Sequence, residues 1–505
     1  MAPDKGRIRP RLSARSSGPG NRSTSCPALK SSRYTFAVPV RGATLLYNAS
    51  SGAVIKLAGS DAAALAAALA GPPRPSVVGP SDALLCEQLV AGGFLIPAAT
   101  DEIVAIRERY WRARRETPMT LTITTTMDCN LGCYYCYEER SDAHLQQHDI
   151  AAIVAYAEDR LQRHGRRTLH VDWYGGEPLL NLPALEAGSA ALQALCARLG
   201  VGYGASIVSN GTAWPDDVGA FVSRHRLGQV QISFDGLAAH HNKRRRYRHG
   251  RAPEASASSF ARAVSVVDAL LDHVRVDVRL NLDRQNQSDL IPFVEFMRQR
   301  GWFTKPFPAV FQVARVSAFS ERSAFLRQHE IAGEAFESLR AAARDTVGGA
   351  ITMEESEVPD GFPYPRTSVC GALANDSAVI GADGGLYRCG LQVSEPHRRV
   401  AQLAHLKVRL LPMLSTAGDP VEADSAWWTT FDPTELPTCS RCSFLPVCWA
   451  GCPKRHLDGD VEAIAEQGAY WRRNLARLVA EGTGERLESD LTIDTALQFR
   501  DSSSI

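Results

Sequence analysis

No apolar run in this chain of 505 residues approaches the roughly 20 residues a helix needs to cross a bilayer, so the sequence carries no membrane-spanning helix. The opening residues, MAPDKGRIRPRLSARSS, have no apolar middle and do not read as a secretory signal. Rich in Arg and Ser, with Asp4 as the only acid, that segment loosely resembles a transit peptide, but such a composition reads first as a disordered tail. A cytoplasmic protein with no membrane partner is the expectation. A prevailing charge is missing too. The 56 basic and 55 acidic side chains leave a formal +1, so no global field draws the chain to nucleic acid or an anionic surface. Partners must be read from local sites.

What is present is the balance of a globular enzyme, 45% hydrophobic and 22% charged, with length for two or three domains. Twelve cysteines in a reducing compartment do not make a disulfide framework, and a chain this long needs no staples. Metal or cluster ligation is the reading. Nine of the twelve fall in two tight groups; Cys26, Cys86 and Cys196 stand alone, the latter two in apolar helical patterns that mark packing residues.

Residues 1–32 are set aside as a disordered tail. Residues 33–100 begin with the β-like runs TFAVPV, ATLLYN and VIKL, followed by Ala/Leu-rich helical stretches at 61–70 and 82–92, with GPPRPSVVGP at 71–80 as a loop between them: a small α+β module. A charged helical linker covers 101–118. From 119 to 317, apolar or β-branched runs alternate with amphipathic helical ones. The strand candidates are 121–126, 169–175, 205–211, 229–236, 274–283 and 309–317, and six βα units imply an α/β fold with a parallel sheet, open or closed into part of a barrel. A helical bridge at 318–369, a Cys-rich region at 370–482 with little periodicity, and a tail at 483–505 complete the chain. Ligands of a parallel sheet gather at the carboxyl ends of its strands.

The first cysteine group, Cys129-Asn-Leu-Gly-Cys133-Tyr-Tyr-Cys136, follows the first of those strands with spacing C-x3-C-x2-C. Three thiolates on one short loop can bind three irons of a cubane and leave the fourth iron open to an outside ligand. Zinc wants four ligands, and the residues that follow offer no Cys or His at finger spacing. With this spacing and an aromatic before the third Cys, the sequence resembles the radical S-adenosylmethionine (SAM) superfamily. The resemblance implies a partial (β/α)6 barrel and a [4Fe-4S] cluster on Cys129, Cys133 and Cys136 whose open iron chelates SAM. It also implies reductive cleavage of SAM to a 5'-deoxyadenosyl radical that abstracts a substrate hydrogen, and an electron donor such as a flavodoxin or ferredoxin. Tyr135 matches the aromatic beside the adenosine.

Further matches follow strand by strand. Tyr174-Gly175-Gly176-Glu177-Pro178 matches the family's GGEP motif, where paired glycines let backbone approach the amino group of SAM and Glu177 supplies a carboxylate. Ser209 and Asn210 close the third strand, and Ser233 the fourth, with small polar groups suited to ribose and carboxylate contacts. Ser233 and Arg245 match SAM-binding positions of the sulfatase-maturase branch, the Arg pairing with the methionine carboxylate; the neighbours of Arg245 in HHNKRRRYRHGR read as a solvated basic loop. Leu280 and Asn281 fall where the fifth strand contacts adenosine in relatives.

The second group is Cys370, then Gly384 with Cys389 five residues on, then Cys439-x2-Cys442-x5-Cys448-x3-Cys452. It is similar to the SPASM extension of peptide- and protein-modifying enzymes, which houses up to two auxiliary [4Fe-4S] clusters. By that resemblance Cys370, Cys389 and Cys452 serve the nearer cluster, and Cys439, Cys442 and Cys448 the farther. No seventh cysteine follows Cys452, so each cluster has three thiolates; a non-Cys side chain, a substrate thiol or nothing completes it, and Gln467 lies near where the missing Cys aligns. Zinc in the second site is the competing reading. In the sulfatase-maturase branch an Asp directly after the Gly-x4-Cys cysteine acts as a base; here that position is Gly390.

Residues 33–100 resemble the winged-helix leader-recognition domain of enzymes that mature ribosomally made peptides, in which a precursor leader adds a strand to a hairpin edge. The expectation is a maturase that abstracts hydrogen from a residue of a precursor peptide, leading to a cross-link or an epimer. Oxidation of Cys or Ser to formylglycine is the alternative within enzymes, and a non-catalytic metal-binding scaffold the alternative outside them.

Overall fold

The six alternating apolar runs form six parallel strands. In the computed structural model, which describes residues 28–59, 61–71, 83–252, 258–319, 321–347, 361–403 and 420–488, the chain opens with β1 (Leu29–Ser31), β2 (Thr35–Val40), β3 (Ala43–Asn48), β4 (Val54–Leu57), α1 (Ala62–Ala70), α2 (Ala83–Ala91), β5 (Leu95–Pro97) and α3 (Glu102–Glu116). The central unit alternates β6 (Met119–Thr124), α4 (Gln147–Arg163), β7 (Thr168–Tyr174), α5 (Leu182–Leu199), β8 (Gly202–Ser209), α6 (Val218–Arg224), β9 (Leu227–Phe234), α7 (Ala238–Arg244), α8 (Ser259–Leu270), β10 (Arg275–Leu282), α9 (Leu290–Gln299) and β11 (Val310–Arg315). After α10 (Gly333–Val347) come β12 (Ala378–Ile380), β13 (Gly385–Tyr387), β14 (Ala401–Gln402), α11 (Pro420–Thr430), α12 (Leu445–Cys448), α13 (Pro453–Asp458) and α14 (Val461–Thr483).

β6 to β11 pair in parallel in sequence order. The next neighbour of β6 is β12, also parallel, which continues through antiparallel β13 and β14 into one nine-stranded sheet. Among the described residues β11 and β14 end the sheet and do not pair with each other. Period-two alternation sorts its side chains. Ile123, Val171, Trp173, Ile207, Ile232, Phe234, Val278 and Leu280 join one core with Ile153, Leu192, Val267 and Phe293 from the covering helices. Thr122, His170, Asp172, Tyr174, Ser206, Gln229 and Gln231 line the opposite, polar face. Local signals set the helix ends: Gln146 and Asp149 form a capping box on α4, Ser258 caps α8 and Asp460 caps α14.

Three findings depart from the sequence reading. The segment set aside as a tail supplies β1, which pairs antiparallel with β5. The Cys-rich region contains a regular hairpin, β13–β14, that extends the central sheet; its strands are only three and two residues long, too short for a periodic signal. The first module shares a core with distant parts of the chain, besides holding a small one of its own. Tyr34, Phe36, Val38 and Tyr47 share one with Tyr110 of α3 and with Trp428, Phe444, Trp449 and Trp471 from the far end of the chain, while a smaller cluster joins Leu46 to Leu69, Leu89 and Phe94. Cys26 and residues 72–82, which hold most of the stretch read as a loop at 71–80, lie outside the described residues. Among the described residues no helix is long and apolar enough to cross a membrane.

Candidate functional site

The loop after β6 carries Cys129, Cys133 and Cys136 at the carboxyl end of the sheet. It is held from several sides. Gly132 N–H donates to the Arg246 carbonyl at 2.8 Å and Arg248 N–H to the Asn130 carbonyl at 2.9 Å, so the basic stretch after α7 wraps the cysteine loop. Asn210, one residue beyond β8, donates to Asn130 Oδ1 at 2.9 Å and reaches Cys129 Sγ at 3.7 Å. Leu131 N–H points at the same sulfur at 3.4 Å. Cys129 and Cys133 are buried; Cys136 faces a cavity of about 460 Å³ shared with Tyr137, Glu138, Arg140 and Phe325. It is therefore accessible yet enclosed by protein on most sides.

Burial pushes the thiols of Cys129 and Cys136 up to about 12, with nearby carboxylates and the other thiols of the group adding repulsion. Three thiolates this close need a polycation to deprotonate them, which is what an iron–sulfur cubane supplies. Other observations fit the cluster and SAM. Glu138 Oε1 and Arg245 Nε are buried beside this loop without partners among the described residues. At the end of β7, Gly175 has φ +143, and a Cβ on Gly176 would fall within 2.9 Å of the Met127 carbonyl oxygen. Those two positions accept only glycine, because the cysteine loop lies directly against them.

The other sequence-derived residues divide. Arg245 is buried, donates to Tyr135 at 2.7 Å and to Asp235 at 3.3 Å, and lies near enough to Cys133 to lower its thiol pKa against the effect of burial. Ser233 sits on the polar side of β9, paired in register with Arg279 of β10. Glu177 is fully buried and already engaged, accepting from Ser209 Oγ at 3.0 Å and Asn210 N–H at 2.7 Å; burial pushes its carboxyl up to about 7. It staples the ends of β7 and β8. Leu280 is placed on the opposite side of the sheet from the cysteine loop, fully buried in the helix-facing core. Strand alternation puts Asn281, not Leu280, on the polar face, where Asn281 accepts from Arg279 Nε at 3.2 Å.

Sequence reading missed the buried ion network beneath the loop. Arg244, taken as part of a solvated basic stretch, is 4% exposed. It donates to Asp235 and Asp283, each at 2.9 Å, and to Tyr134 at 2.8 Å. Burial would raise the Asp235 carboxyl, but Arg245 and Arg244 hold it below the usual range. The available signal was an Asp directly after each of two apolar strands, β9 and β10. Tyr137 also meets Tyr174 hydroxyl to hydroxyl.

The six cysteines between 370 and 452 form two separate groups. Burial pushes Cys389 up to about 12, and Cys370 and Cys452 add to the rise. Burial does the same to Cys448, with repulsion from Cys442 and Cys439 opposed by Arg366. Arg388 ties the first group together, donating to the carbonyls of Ala372, Ala374 and Ser377 and so holding the Cys389 segment against the one that follows Cys370. Among the described residues no three Cys, His, Asp or Glu side chains converge tightly enough for a single metal ion. Gln467, set by the sequence near the missing ligand, lies against Cys452 of the first group, whose backbone N–H it accepts at 3.0 Å.

A second cavity, of about 420 Å³, lies on the polar face of the sheet. Its walls run from Tyr137, beside the first cysteine loop, past His170, Asp172 and Gln231 to Cys389 and Gly390.

Comparison with known proteins agrees with this arrangement. The family model of the Radical SAM superfamily matches residues 123–297. A serine-type anaerobic sulfatase-maturating enzyme of Klebsiella aerogenes is 30% identical over 344 residues, covering 65% of this chain and 78% of that protein. Its namesake from Klebsiella pneumoniae is 24% identical over 344 residues, with 65% and 80% covered. Among solved structures, native anSMEcpe with bound AdoMet superposes with a TM-score of 0.52 at 15% identity, covering 73% of this chain and all of that one, a likeness of fold.

Proposed function

Because the chain belongs to the radical SAM superfamily, we propose that it is a maturase acting on one residue of a ribosomally made precursor peptide, ending in a cross-link or an epimer. The observation that carries this reading is the single cavity whose walls include both Tyr137, next to Cys136 of the first cysteine loop, and Cys389. A reacting residue held there lies between the site where hydrogen is removed and a second redox group.

When bound, the cluster and SAM supply a one-electron cleavage whose product removes a hydrogen atom from the substrate. The chain's own residues do the rest. Cys129, Cys133 and Cys136 hold the cluster. Arg245, with its spare Nε, pairs with the methionine carboxylate, and backbone at Gly175 and Gly176 meets the amino group. Ser233 and Asn281 offer hydrogen bonds from the polar face. Thr122, Asp172, Ser206 and Gln231 hold the substrate residue by hydrogen bonds and replace water around it. Cys370, Cys389 and Cys452 hold one auxiliary cluster, Cys439, Cys442 and Cys448 another, and a flavodoxin or ferredoxin delivers the electron. In the three-stranded sheet β2–β3–β4, the end of β2 meets Leu487, which leaves β4 as the edge for a leader strand.

The relatives' name favours oxidation of a side chain in a sulfatase, the second reading. Gly390 counts against it, since on the rim of the cavity the residue after Cys389 is a glycine and not an acid. Mass spectrometry of a precursor after anaerobic incubation with the reconstituted enzyme, SAM and reductant separates the outcomes. Loss of two hydrogens means cross-linking, and unchanged mass with a D-residue means epimerisation. Formylglycine, or no 5'-deoxyadenosine at all, sinks the proposal.

A further inference from the structure

Cys448 and Cys452 are four residues apart, yet they face different cysteine groups. The three residues between them explain how. Trp449, Ala450 and Gly451 all have positive φ, 48°, 62° and 73°, a left-handed turn that is strained for the two non-glycine residues. Such a turn persists only where surroundings hold it, and three contacts do. The Trp449 ring is buried against Tyr110, edge-on at 5.5 Å between ring centres. His456 Nε2–H donates to the Ala450 carbonyl at 2.8 Å. Gln467, on the second turn of α14, accepts the Cys452 N–H at 3.0 Å, and its carboxamide lies where a Cβ on Gly451 would go.

We propose that Gln467 and His456 are positioning residues for the auxiliary clusters, clamping the left-handed turn at 449–451 so that Cys448 is delivered to one cluster and Cys452 to the other. Gln467 thereby takes over the place of a ligand residue without being a ligand. It fixes the backbone of Cys452 through its oxygen, and its amide adds a dipole but no charge beside that cluster. This inference rests on the assignment of Cys370, Cys389 and Cys452 to an iron–sulfur cluster.

The test uses the full chain, reconstituted anaerobically, with iron and sulfide counted per chain, Mössbauer and EPR spectra of each cluster, and redox titration. Gln467→Ala is expected to lose about a third of the iron, the signal of the SAM-responsive cluster staying intact. Gln467→Glu keeps the acceptor oxygen and is expected to hold full iron with a more negative potential for one auxiliary cluster. His456→Ala is expected to broaden or lose both auxiliary signals. Exposed Glu462→Ala, on the same helix, serves as the control for folding, together with thermal unfolding of each variant. Full iron and unchanged potentials in both Gln467 variants overturn the clamp. Wild-type protein holding a single cluster overturns the cluster assignment instead, and the clamp falls with it.

Discussion

At the scale of single residues, the side chains around the first cysteine loop have separable jobs. Cys136→Ala removes one of three thiolates and is expected to abolish 5'-deoxyadenosine formation while leaving roughly two thirds of the iron, since the other two groups are far along the chain; iron analysis with chromatography of the nucleoside checks both. On the role proposed for it, Arg245→Ala removes a charged donor to SAM and is expected to weaken SAM binding by about 2 kcal/mol, roughly 30-fold, by calorimetry. Leu280 supplies the contrasting case. Fully buried among apolar neighbours, its replacement by Ala is expected to cost about 2–5 kcal/mol of stability in denaturant unfolding with SAM affinity unchanged. A loss of SAM affinity at equal folding would return Leu280 to the binding site.

At the scale of elements, the auxiliary region is joined to the central sheet by strand pairing. β12 lies parallel to β6 in register from Ala378↔Leu121 to Ile380↔Ile123, and β13, paired to β12, brings Cys389 onto the cavity's rim. Arg388, next to that strand, bonds three carbonyls of the Cys370 segment. Because those bonds need the planar fork of a guanidinium, Arg388→Lys is expected to fail nearly as badly as Arg388→Ala. Both should lower auxiliary-cluster iron while SAM cleavage without substrate persists. Retention of all iron in either variant would show that Cys370 and Cys389 are held by something else.

At the scale of the whole molecule, the two ends of the chain make one core. Tyr34, Phe36, Val38 and Tyr47 from the first module pack with Phe444, Trp449 and Trp471 from the last. Removing residues 1–100 would strip several large apolar side chains from that core, each contributing about 1.5–3 kcal/mol. The shortened chain is expected to aggregate or to lose its auxiliary iron, as sedimentation and iron analysis would show. A soluble, iron-complete truncation would mean that the module is only an appendage.

The sequence by itself determined what depends on neighbours along the chain. The six strands were legible from alternating apolar runs, and the first cysteine loop from its spacing and its place after a strand, because period and spacing are local properties of a backbone. Gly175 and Gly176 read as places where backbone comes close, and the backbone they meet is that of the cysteine loop. Tertiary structure decided what depends on residues distant in sequence. It buried Arg244 between two strand ends, engaged Glu177 with Ser209 and Asn210, and turned Leu280 toward the helices. It also joined the first module to the last helices and placed Gln467 against Cys452. Charge pairing and burial are settled by which surfaces meet in space, and a basic stretch reads the same in sequence whether it ends in water or around a cysteine loop.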